Sequence, residues 1–313
     1  MRHPTVSIIT PSYNQARFVE RTLRSVLCQD YPDLEYAVFD ACSDDGTAEI
    51  LHRYADALDL LVVEKDKGQS DALNRGFRRV RGDILGYLNA DDCLASPHTI
   101  SQVVARFAEH PDADVVTGRR DYMDHDGRFV TAYPYRPFCP DVLHRACYVS
   151  QEATFWRRHI YEAAGGVINT TYDFAMDYEL WLRLLAAGAK FVAVPDRWGL
   201  FRWYAEQKSN AEWRTKGLPE IARLYQAYLG RHVPEQEMFD AYHGYWAQAD
   251  PVTLPESHAL FNGFWSALLE HKRSSMRAFR LDGWVDRAEL NQERLRRLRA
   301  RRGRSAGQVR RAA

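Results

Sequence analysis

Hydrophobic residues in the first 120 positions of the chain follow two alternating spacings. Short runs rich in apolar residues at 6–10, 34–39, 60–63 and 83–88 have the length of buried strands. Between these runs, apolar residues recur every three to four positions, which is the spacing of one helix face. The β-α-β-α order predicts an α/β fold with a mostly parallel, Rossmann-like sheet and helices on both faces.

Capping residues and the positions of Pro and Gly set the expected boundaries of the elements. The first strand is expected to end at Pro11, Ser70 to cap a helix, and another helix to open at Ser96-Pro97. Residues 121–150 look irregular, with short antiparallel strands. The predicted helices are 18–27, 47–54, 70–79, 177–187, 218–229, 261–271 and an Arg-rich stretch at 289–302, with one further strand at 191–194.

The composition is that of a folded protein, with 46% hydrophobic and 27% charged residues in a chain of 313. Five cysteines without a CxxC pair argue against a disulfide framework or a structural zinc site, which favours a reduced, cytoplasmic protein. Because Met1 is followed almost directly by a strand pattern, we expect no signal peptide. No stretch reaches the roughly 18–20 apolar residues of a membrane span.

The zero net charge conceals an acidic body and a basic tail. Residues 287–313 hold ten Arg and two Glu, so this tail carries +8 and the rest of the chain −8. The distribution indicates an interaction tail and not a nucleic-acid-binding domain. The tail could make a peripheral contact with anionic lipid at the inner face of a membrane. Since the apolar face of 289–302 is thin (Leu290, Leu295, Leu298), a solvated end is favoured over that contact.

Polar residues follow three of the predicted strands at the points where the strands end. They are residues 11–14, Asp40 and residues 89–92. Because the carboxyl ends of parallel strands meet at one edge of a sheet, ligands bind there. The sequence therefore predicts that these three loops converge on one crevice.

The first two groups are candidates for contact with a nucleobase. Pro11, Ser12 and Tyr13 form a turn in which the Tyr13 ring can lie against a base, although a capped polar turn explains the same residues. Asp40 could accept a hydrogen bond from a base N–H. Residues 44–46 chiefly shape the turn that follows it.

The segment 66–76 is a weaker candidate for phosphate contact. Gly68 would let the backbone approach a ligand, Lys67 could meet a phosphate, and Asn74 lies on the helix that follows. A helix start capped by Ser70 accounts for the same residues.

Two further places carry carboxylates suited to chemistry. Asp91 and Asp92 follow a buried strand, and hard oxygen ligands there would suit Mg²⁺ or Mn²⁺ bridging phosphates. Helix capping fits the pair poorly, because it lies several residues before the helix start at Ser96. Asp177, at a helix N-terminus, could act as a general base, although such a residue is more often a plain helix cap.

Taken together and in this order, the five groups resemble glycosyltransferase family 2, over residues 5 to about 210. The resemblance implies the GT-A fold and an inverting, hexosyltransferase-type activity with a nucleotide-sugar donor. The expected base is uracil, with guanine and thymine left open, and the acceptor is a saccharide or a lipid-linked molecule. Tyr13 and Asp40 are then implied to contact the base.

The same resemblance implies roles for the acidic residues. Asp92 is the expected direct ligand of Mg²⁺ or Mn²⁺, Asp91 a ribose or outer contact, and Asp177 the catalytic base. Two positions depart from the family pattern. Leu73 stands where many members carry an Arg that meets the diphosphate, and Tyr204 where many carry a His that completes the metal shell.

Residues 151–158 resemble a linking segment of bacterial polysaccharide-synthesis members of the family. Gln151 and Glu152 in this segment, with Trp181, are weak candidates for acceptor or sugar contacts. The expected organisation is a GT-A domain over 1–205, with a nucleotide-binding half to about 120 and an acceptor half from 121, and a helical extension with the Arg-rich tail over 206–313.

Two other functions compete with this interpretation. A sugar nucleotidyltransferase would also use a doubly wound sheet and acidic metal ligands, but no glycine- and basic-rich triphosphate loop follows the first strand. A non-catalytic sugar-binding protein of the same fold is conceivable because of Leu73 and Tyr204. The presence of all four candidate acidic residues, Asp40, Asp91, Asp92 and Asp177, disfavours a non-catalytic protein.

Overall fold

The computed structural model describes residues 3–133, 135–246 and 280–311. The strands are β1 Val6–Ser12, β2 Leu34–Asp40, β3 Leu60–Val63, β4 Ile84–Tyr87, β5 Cys93–Leu94, β6 Val115–Met123, β7 Phe129–Ala132, β8 Thr154–Arg157 and β9 Phe191–Arg202. The helices are α1 Val19–Leu27, α2 Thr47–Tyr54, α3 Gln69–Phe77, α4 Thr99–Glu109, α5 Pro140–Leu143, α6 Arg158–Ala163, α7 Met176–Ala186, α8 Lys208–Ala211, α9 Leu218–Leu229, α10 Glu235–Trp246, α11 Trp284–Arg287 and α12 Gln292–Arg311.

One sheet organises the chain, with strand order β3-β2-β1-β4-β8-β6-β9-β5 and β7 paired to β6. The first four strands are parallel. Beyond β4 the sheet is mixed: β8 pairs antiparallel with both β4 and β6, while β9 runs parallel to β6. The predicted α/β fold is confirmed, and so are the short antiparallel strands expected near 121–150, which are the end of β6 and β7.

The two faces of the sheet pack against separate apolar cores. Ile8 and Ile9 are neighbours in β1 but belong to opposite cores, because successive side chains of a strand point to opposite faces. All seven residues of β1 are buried, as expected for a strand covered by helices on both sides. A Cβ at Gly76 would lie 2.8 Å from the Ile9 side chain, so this glycine lets α3 pack closely on β1.

Three strand and helix boundaries differ from those predicted. β1 continues through Pro11, which pairs with Phe39 of β2, and ends one residue later. α4 begins at Thr99, because Ser96 N–H donates to Thr99 Oγ1 at 3.2 Å within a preceding turn. β9 extends to residue 202 and not to 194, since it pairs with β6 along most of its length.

The start of α3 also differs from the prediction. Gly68, with φ 106°, precedes the helix and takes the position expected for the cap. Ser70 lies inside the helix and is buried, and its hydroxyl donates to the Tyr172 carbonyl at 3.3 Å. Ser70 therefore joins α3 to the loop before α7.

The Arg-rich helix α12 packs against the first half of the sheet. Arg294 is 3% exposed and donates to the carbonyls of Leu34 at 3.1 Å and Ala57 at 2.6 Å. Leu295 and Leu298 are buried. The expectation of a solvated end is therefore wrong for this part of the tail, because a few specific hydrogen bonds compensate for its thin apolar face.

Helix α9, which follows residue 205, also contacts the body. Both carboxylate oxygens of Glu220 in α9 accept N–H groups of residues 173–175, at 2.8–3.0 Å. The predicted helix at 218–229 is confirmed as α9, whereas the one at 261–271 lies outside the described residues. Within the described ranges, no helix is both long and apolar enough to cross a membrane.

Candidate active site

A cleft of about 1340 Å³ opens at the carboxyl edge of the parallel strands. Pro11, Ser12 and Tyr13 line it from the end of β1, and Asn89 and Asp91 from the loop after β4. The structure thus brings together all three loops expected to converge, the third of them through Ala41, Cys42 and Asp44. Residues 173–178 and most of 204–216 also line the cleft.

The side of the cleft beside β1 and β2 is suited to a flat ring. Tyr13 is 61% exposed, which is unusual for a large aromatic residue in this fold. Ser12 is buried, and its hydroxyl oxygen has no hydrogen-bond partner among the described residues. An exposed ring beside a polar group without a partner is an arrangement that can stack on and hydrogen-bond a heterocycle.

Asp40 is less accessible than predicted. It is 1% exposed, and its two oxygens accept the Ser43 N–H at 2.8 Å and the Ser43 hydroxyl at 2.7 Å. It does not line the cleft, so its contact with a base stays a prediction. Asp66, which follows β3, does line the cleft, and burial raises the pKa of its carboxyl. The sequence analysis placed Asp66 in the right segment but gave it no role.

The two residues predicted for phosphate contact in segment 66–76 do not line the cleft. Lys67 is exposed on the loop before α3, and Lys65 lines the wall instead. Asn74 is buried, where its amide donates to the Ile168 carbonyl at 2.8 Å and accepts the Ile168 N–H at 2.7 Å. Asn74 is therefore corrected from a donor contact to a structural link between α3 and the loop before α7.

The acidic pair after β4 is arranged in the reverse of the predicted order. Asp91 lines the cleft, whereas Asp92 is 0% exposed and lies beneath it. The Tyr204 hydroxyl donates to Asp91 Oδ2 at 2.9 Å, and burial together with the Asp91 charge raises the pKa of this phenol. Tyr204 therefore keeps its proton and acts as a hydrogen-bond donor at the place where a metal-binding His was expected.

Asp92 carries an oxygen that the protein leaves without a partner. Its Oδ1 accepts the Arg202 N–H at 2.8 Å, while its buried Oδ2 has no hydrogen-bond partner in the described part of the chain. Burial and the nearby charges of Asp91 and Glu152 raise the pKa of the Asp92 carboxyl well above its usual range. Adjacent carboxylates with such an oxygen fit a hard divalent cation, because its charge would offset their burial.

Asp177 faces the same cleft from the start of α7. Its Oδ1 accepts the Tyr178 N–H at 2.7 Å. Burial raises the pKa of the Asp177 carboxyl, and this N–H and the charge of Arg120 oppose the rise. Glu220 accepts the three N–H groups just before α7. It thereby fixes the loop that leads into the helix on which Asp177 lies.

Gln151 and Glu152, the weak candidates for sugar or acceptor contacts, line the cleft. Their contact with a sugar or an acceptor stays a prediction. Glu152 Oε2 lies 3.6 Å from Arg120, and its buried Oε1 has no partner among the described residues. Trp181 is different, because it is 0% exposed and packs against Trp156 with ring centroids 5.5 Å apart. Trp181 is therefore corrected from a sugar contact to a core residue.

The cleft is also lined by an aromatic pair that was not predicted from the sequence. Phe174 and Trp213 line the cleft with ring centroids 5.8 Å apart. Trp213 opens a π-helical turn, Trp213–Gly217, and such turns are frequent at functional sites. A Cβ at Gly217 would lie 2.9 Å from the Phe174 ring, so the glycine allows this close packing. The available signal was an isolated Trp in an otherwise polar stretch.

A second acidic group is explained by a turn. Asp124, His125 and Asp126 bring ligand atoms within 4.8 Å of one another. Asp124 Oδ1, however, accepts the N–H groups of Asp126 and Arg128, both at 2.9 Å, and so closes the hairpin between β6 and β7. We assign this group to the turn.

Comparison with known proteins points to one family. The model of the family described as Glycosyl transferase family 2 matches residues 7–172, just over half of the chain. The chain is 29% identical over 191 residues to the O-antigen biosynthesis protein RfbC of Myxococcus xanthus, covering 59% of this chain and 15% of RfbC. It is 30% identical over 186 residues to a PGL/p-HBAD biosynthesis glycosyltransferase of Mycobacterium tuberculosis, covering 58% of this chain and 70% of that protein. The chain thus spans only a small part of RfbC.

Solved structures share the fold at low sequence identity. Residues 1–349 of Staphylococcus aureus TarS, in complex with UDP-GlcNAc, superpose with a TM-score of 0.60 at 16% identity, covering 95% of this chain and 87% of that one. The mannosyltransferase PcManGT of Pyrobaculum calidifontis, in complex with GDP-Man and Mn²⁺, gives 0.57 at 21% identity, covering 96% and 87%. These likenesses confirm the predicted GT-A fold.

Proposed function

Because the chain belongs to glycosyl transferase family 2, we propose that it transfers a hexose from a nucleoside-diphosphate sugar to an acceptor hydroxyl. The observation that supports the proposal is that Asp91 after β4 and Asp177 at the start of α7 line the same cleft. A carboxylate that can bind a cation and a carboxylate that can act as a base, both in one cleft, suit the binding of a donor and an acceptor together. The sugar nucleotidyltransferase alternative gains no support from this geometry.

The chemistry follows from the position of Asp177. With its carboxylate ionised, Asp177 would take the proton of the acceptor hydroxyl as that oxygen attacks the anomeric carbon. The bond from the anomeric carbon to the diphosphate oxygen breaks in the same step, so the product has the inverted anomeric configuration. NMR of the product tests this, since retention of configuration would contradict a single displacement.

The donor side combines three kinds of contact. Tyr13 would stack on the base, and uracil is the base we propose because the donor in the TarS complex is UDP-GlcNAc. Asp91, supported by Asp92, would hold Mg²⁺ or Mn²⁺, whose charge stabilises the departing diphosphate. Lys65 also lines the cleft, and its ammonium group would approach a phosphate.

Isothermal titration of the full chain with UDP, with and without Mn²⁺, tests the donor proposal. We expect UDP to bind more tightly when Mn²⁺ is present. GDP and dTDP are the control ligands, and tighter binding of either one would reassign the base. A chain that binds none of the three would contradict the proposal. Hydrolysis of the donor in the absence of acceptor separates an enzyme from a non-catalytic binder.

We propose that the acceptor is a growing saccharide or a lipid-linked one, because two relatives are named for O-antigen and PGL/p-HBAD biosynthesis. The partly exposed Trp213 ring would then stack on an acceptor sugar beside Asp177. Trp213→Ala should raise the acceptor KM about 3- to 10-fold, the size expected of one aromatic contact, and leave UDP affinity unchanged. Steady-state kinetics with an acceptor active on the wild type measures this, with Trp213→Phe as the conservative control. An unchanged acceptor KM would remove Trp213 from the acceptor site.

We also propose a peripheral contact between α12 and anionic lipid. One face of α12 binds the body, while Arg296 and Arg299 are exposed on the helix. A double Arg296→Gln/Arg299→Gln variant should bind phosphatidylglycerol vesicles about 10- to 30-fold more weakly, at roughly 1 kcal/mol per Arg. Vesicle cosedimentation measures this, with Lys190→Gln, at an exposed lysine elsewhere, as the control. Equal binding of the wild type to anionic and neutral vesicles would contradict the proposal.

A further inference from the structure

Arg202, the last residue of β9, is buried directly beneath the acidic pair. It is 1% exposed. Its backbone N–H donates to Asp92 Oδ1, and its Nε to the Asp91 carbonyl, both at 2.8 Å. Its Nη1 donates to the carbonyls of Asp124 and His125 at 3.2 and 3.3 Å. Arg202 thus joins the loop that carries both carboxylates to the hairpin between β6 and β7.

The counter-charge of Arg202 comes from a distant part of the chain. Asp282 is 0% exposed, and its Oδ2 lies 3.1 Å from Arg202 Nη2. Its Oδ1 lies 3.4 Å from Arg21 and 3.3 Å from Arg280. Asp282 lies 110 residues beyond the end of the part of the chain matched by the family model, which ends at 172.

The backbone around Asp282 is itself anchored. Leu281 N–H donates to the Gly127 carbonyl at 2.8 Å, and Arg24 Nη2 donates to the Val285 carbonyl at 2.7 Å. A Cβ at Gly127 would lie 2.2 Å from Asp282 Oδ1, so the hairpin glycine leaves the space that this carboxylate occupies. Residues 281–285 thus connect the β6–β7 hairpin to α1 across the back of the acidic pair.

This arrangement decides how much positive charge the acidic pair experiences. A buried guanidinium without a counter-charge would attract the Asp92 carboxylate and so compete with a cation for it. Asp282 also faces Arg21 and Arg280, so it lowers the positive charge of this cluster without cancelling it. It binds Arg202 Nη2, while Nε and Nη1 donate to backbone carbonyls, so the donors of the guanidinium are directed to groups other than the Asp92 carboxylate. The carboxylates then remain available for a divalent cation.

We propose that Asp282 is a positioning residue of the donor site, acting through Arg202 to hold Asp91 and Asp92 in a cation-binding arrangement. The inference rests on the proposed function for the identity of the ligand, Mn²⁺ with a nucleoside diphosphate. It makes a segment of the C-terminal extension part of the donor site, whereas the family match ends before the last strand of the sheet.

The test is the Mn²⁺ affinity of the full chain without nucleotide, measured from the electron paramagnetic resonance signal of free Mn²⁺. Asp282→Asn should weaken Mn²⁺ binding about 10- to 100-fold, the usual effect of losing a residue that supports metal ligands. UDP binding without metal should not change. Asp286→Asn is the matched control, because Asp286 lies on the same segment and pairs with Arg21, but its side chain is 56% exposed. This control should bind Mn²⁺ like the wild type.

A purely structural role for Asp282 gives a different result. Its loss would then lower the melting temperature, while the folded variant at low temperature would keep wild-type Mn²⁺ affinity. That outcome overturns the inference, as does a wild-type chain that binds no Mn²⁺ at all. Failure of UDP, GDP and dTDP to bind in the presence of a normal Mn²⁺ site would instead contradict only the proposed function.

A second variant covers the case in which Asp282→Asn does not fold. Gly127→Ala keeps every charge but pushes a methyl group against Asp282. Gly230→Ala is its control, since Gly230 also has positive φ, 66°, with nothing within 4 Å of the added Cβ. We expect weaker Mn²⁺ binding for Gly127→Ala alone. Equal Mn²⁺ affinities in these two variants would overturn the inference.

Discussion

An Asp177→Asn variant should transfer sugar about 10²- to 10⁴-fold more slowly than the wild type, the usual contribution of a general base. Asparagine has nearly the same shape, and its side-chain oxygen can still accept the Tyr178 N–H. It cannot, however, take a proton from the acceptor. Because Asp177 is proposed to contact the acceptor and not the nucleotide, UDP affinity should stay unchanged. The measurement is kcat, together with isothermal titration of UDP on the same preparation.

The pH profile gives the same prediction a second readout. Burial raises the pKa of the Asp177 carboxyl above its ordinary value near 4. The base works only when ionised, so kcat should fall as the pH falls through this raised pKa. The acid limb of the profile should therefore lie at higher pH than an exposed carboxyl would give. In Asp177→Asn this limb should disappear from the residual activity.

Asp141→Asn is a suitable control for Asp177→Asn. Asp141 also lies in the first turn of a helix, α5, but it is exposed and does not line the cleft. This variant should keep wild-type kcat and the same acid limb. Near-normal turnover by Asp177→Asn, with the acid limb still present, would remove Asp177 as the base. The search for one would then move to Glu152, another acidic residue that lines the cleft.

The parts of the fold and site that could be predicted are those that depend on residues close together in the sequence. β1 to β4 are short apolar runs, and polar residues follow them directly. Because parallel strands bring their carboxyl ends together, these local patterns were enough to place residues 11–13 and Asp91 in one cleft. The position of Asp177 was predictable for the same kind of reason, since the local sequence indicates a helix start there.

The errors concern side chains whose direction is set by distant contacts. Asn74 and Trp181 lie on helices in the right region, but each points away from the cleft, toward Ile168 and Trp156 respectively. The relative exposure of Asp91 and Asp92 could not be predicted either, for a similar reason. Arg202 fixes which of the two is buried, and it lies more than 100 residues away in the sequence.

The basic tail is another case in which distant contacts decide the outcome, here by stabilising the burial of a charged side chain. A thin apolar stripe on a charged helix predicts weak packing, and that reasoning is sound for a helix alone. Arg294, however, finds two backbone carbonyls and Asp59 in the gap between β2 and α2. A guanidinium whose three nitrogens each donate to an acceptor in a fixed position can be buried at little cost. No pattern of spacing contains this information.

Asp91 and Asp92 should differ in what their loss does to the donor site. Asp91 faces the cleft, so Asp91→Asn removes a charge that would touch the cation. We expect it to abolish the Mn²⁺-dependent part of UDP binding, a loss larger than the roughly 10- to 100-fold typical of outer residues. Asp92 is buried, and asparagine there can still accept the Arg202 N–H. Asp92→Asn should weaken the Mn²⁺ effect only within that range.

Titration of UDP into both variants, with and without Mn²⁺, decides between the two arrangements. Tyr204→Phe is the control for an indirect effect, because it removes the hydrogen bond to Asp91 Oδ2 but leaves both carboxylates in place. It should change the Mn²⁺ effect less than either Asp variant does. A larger loss in Asp92→Asn than in Asp91→Asn would instead make Asp92 the direct ligand, as first predicted from the sequence. Its unpartnered Oδ2 would then have to become exposed to the cleft when the donor binds.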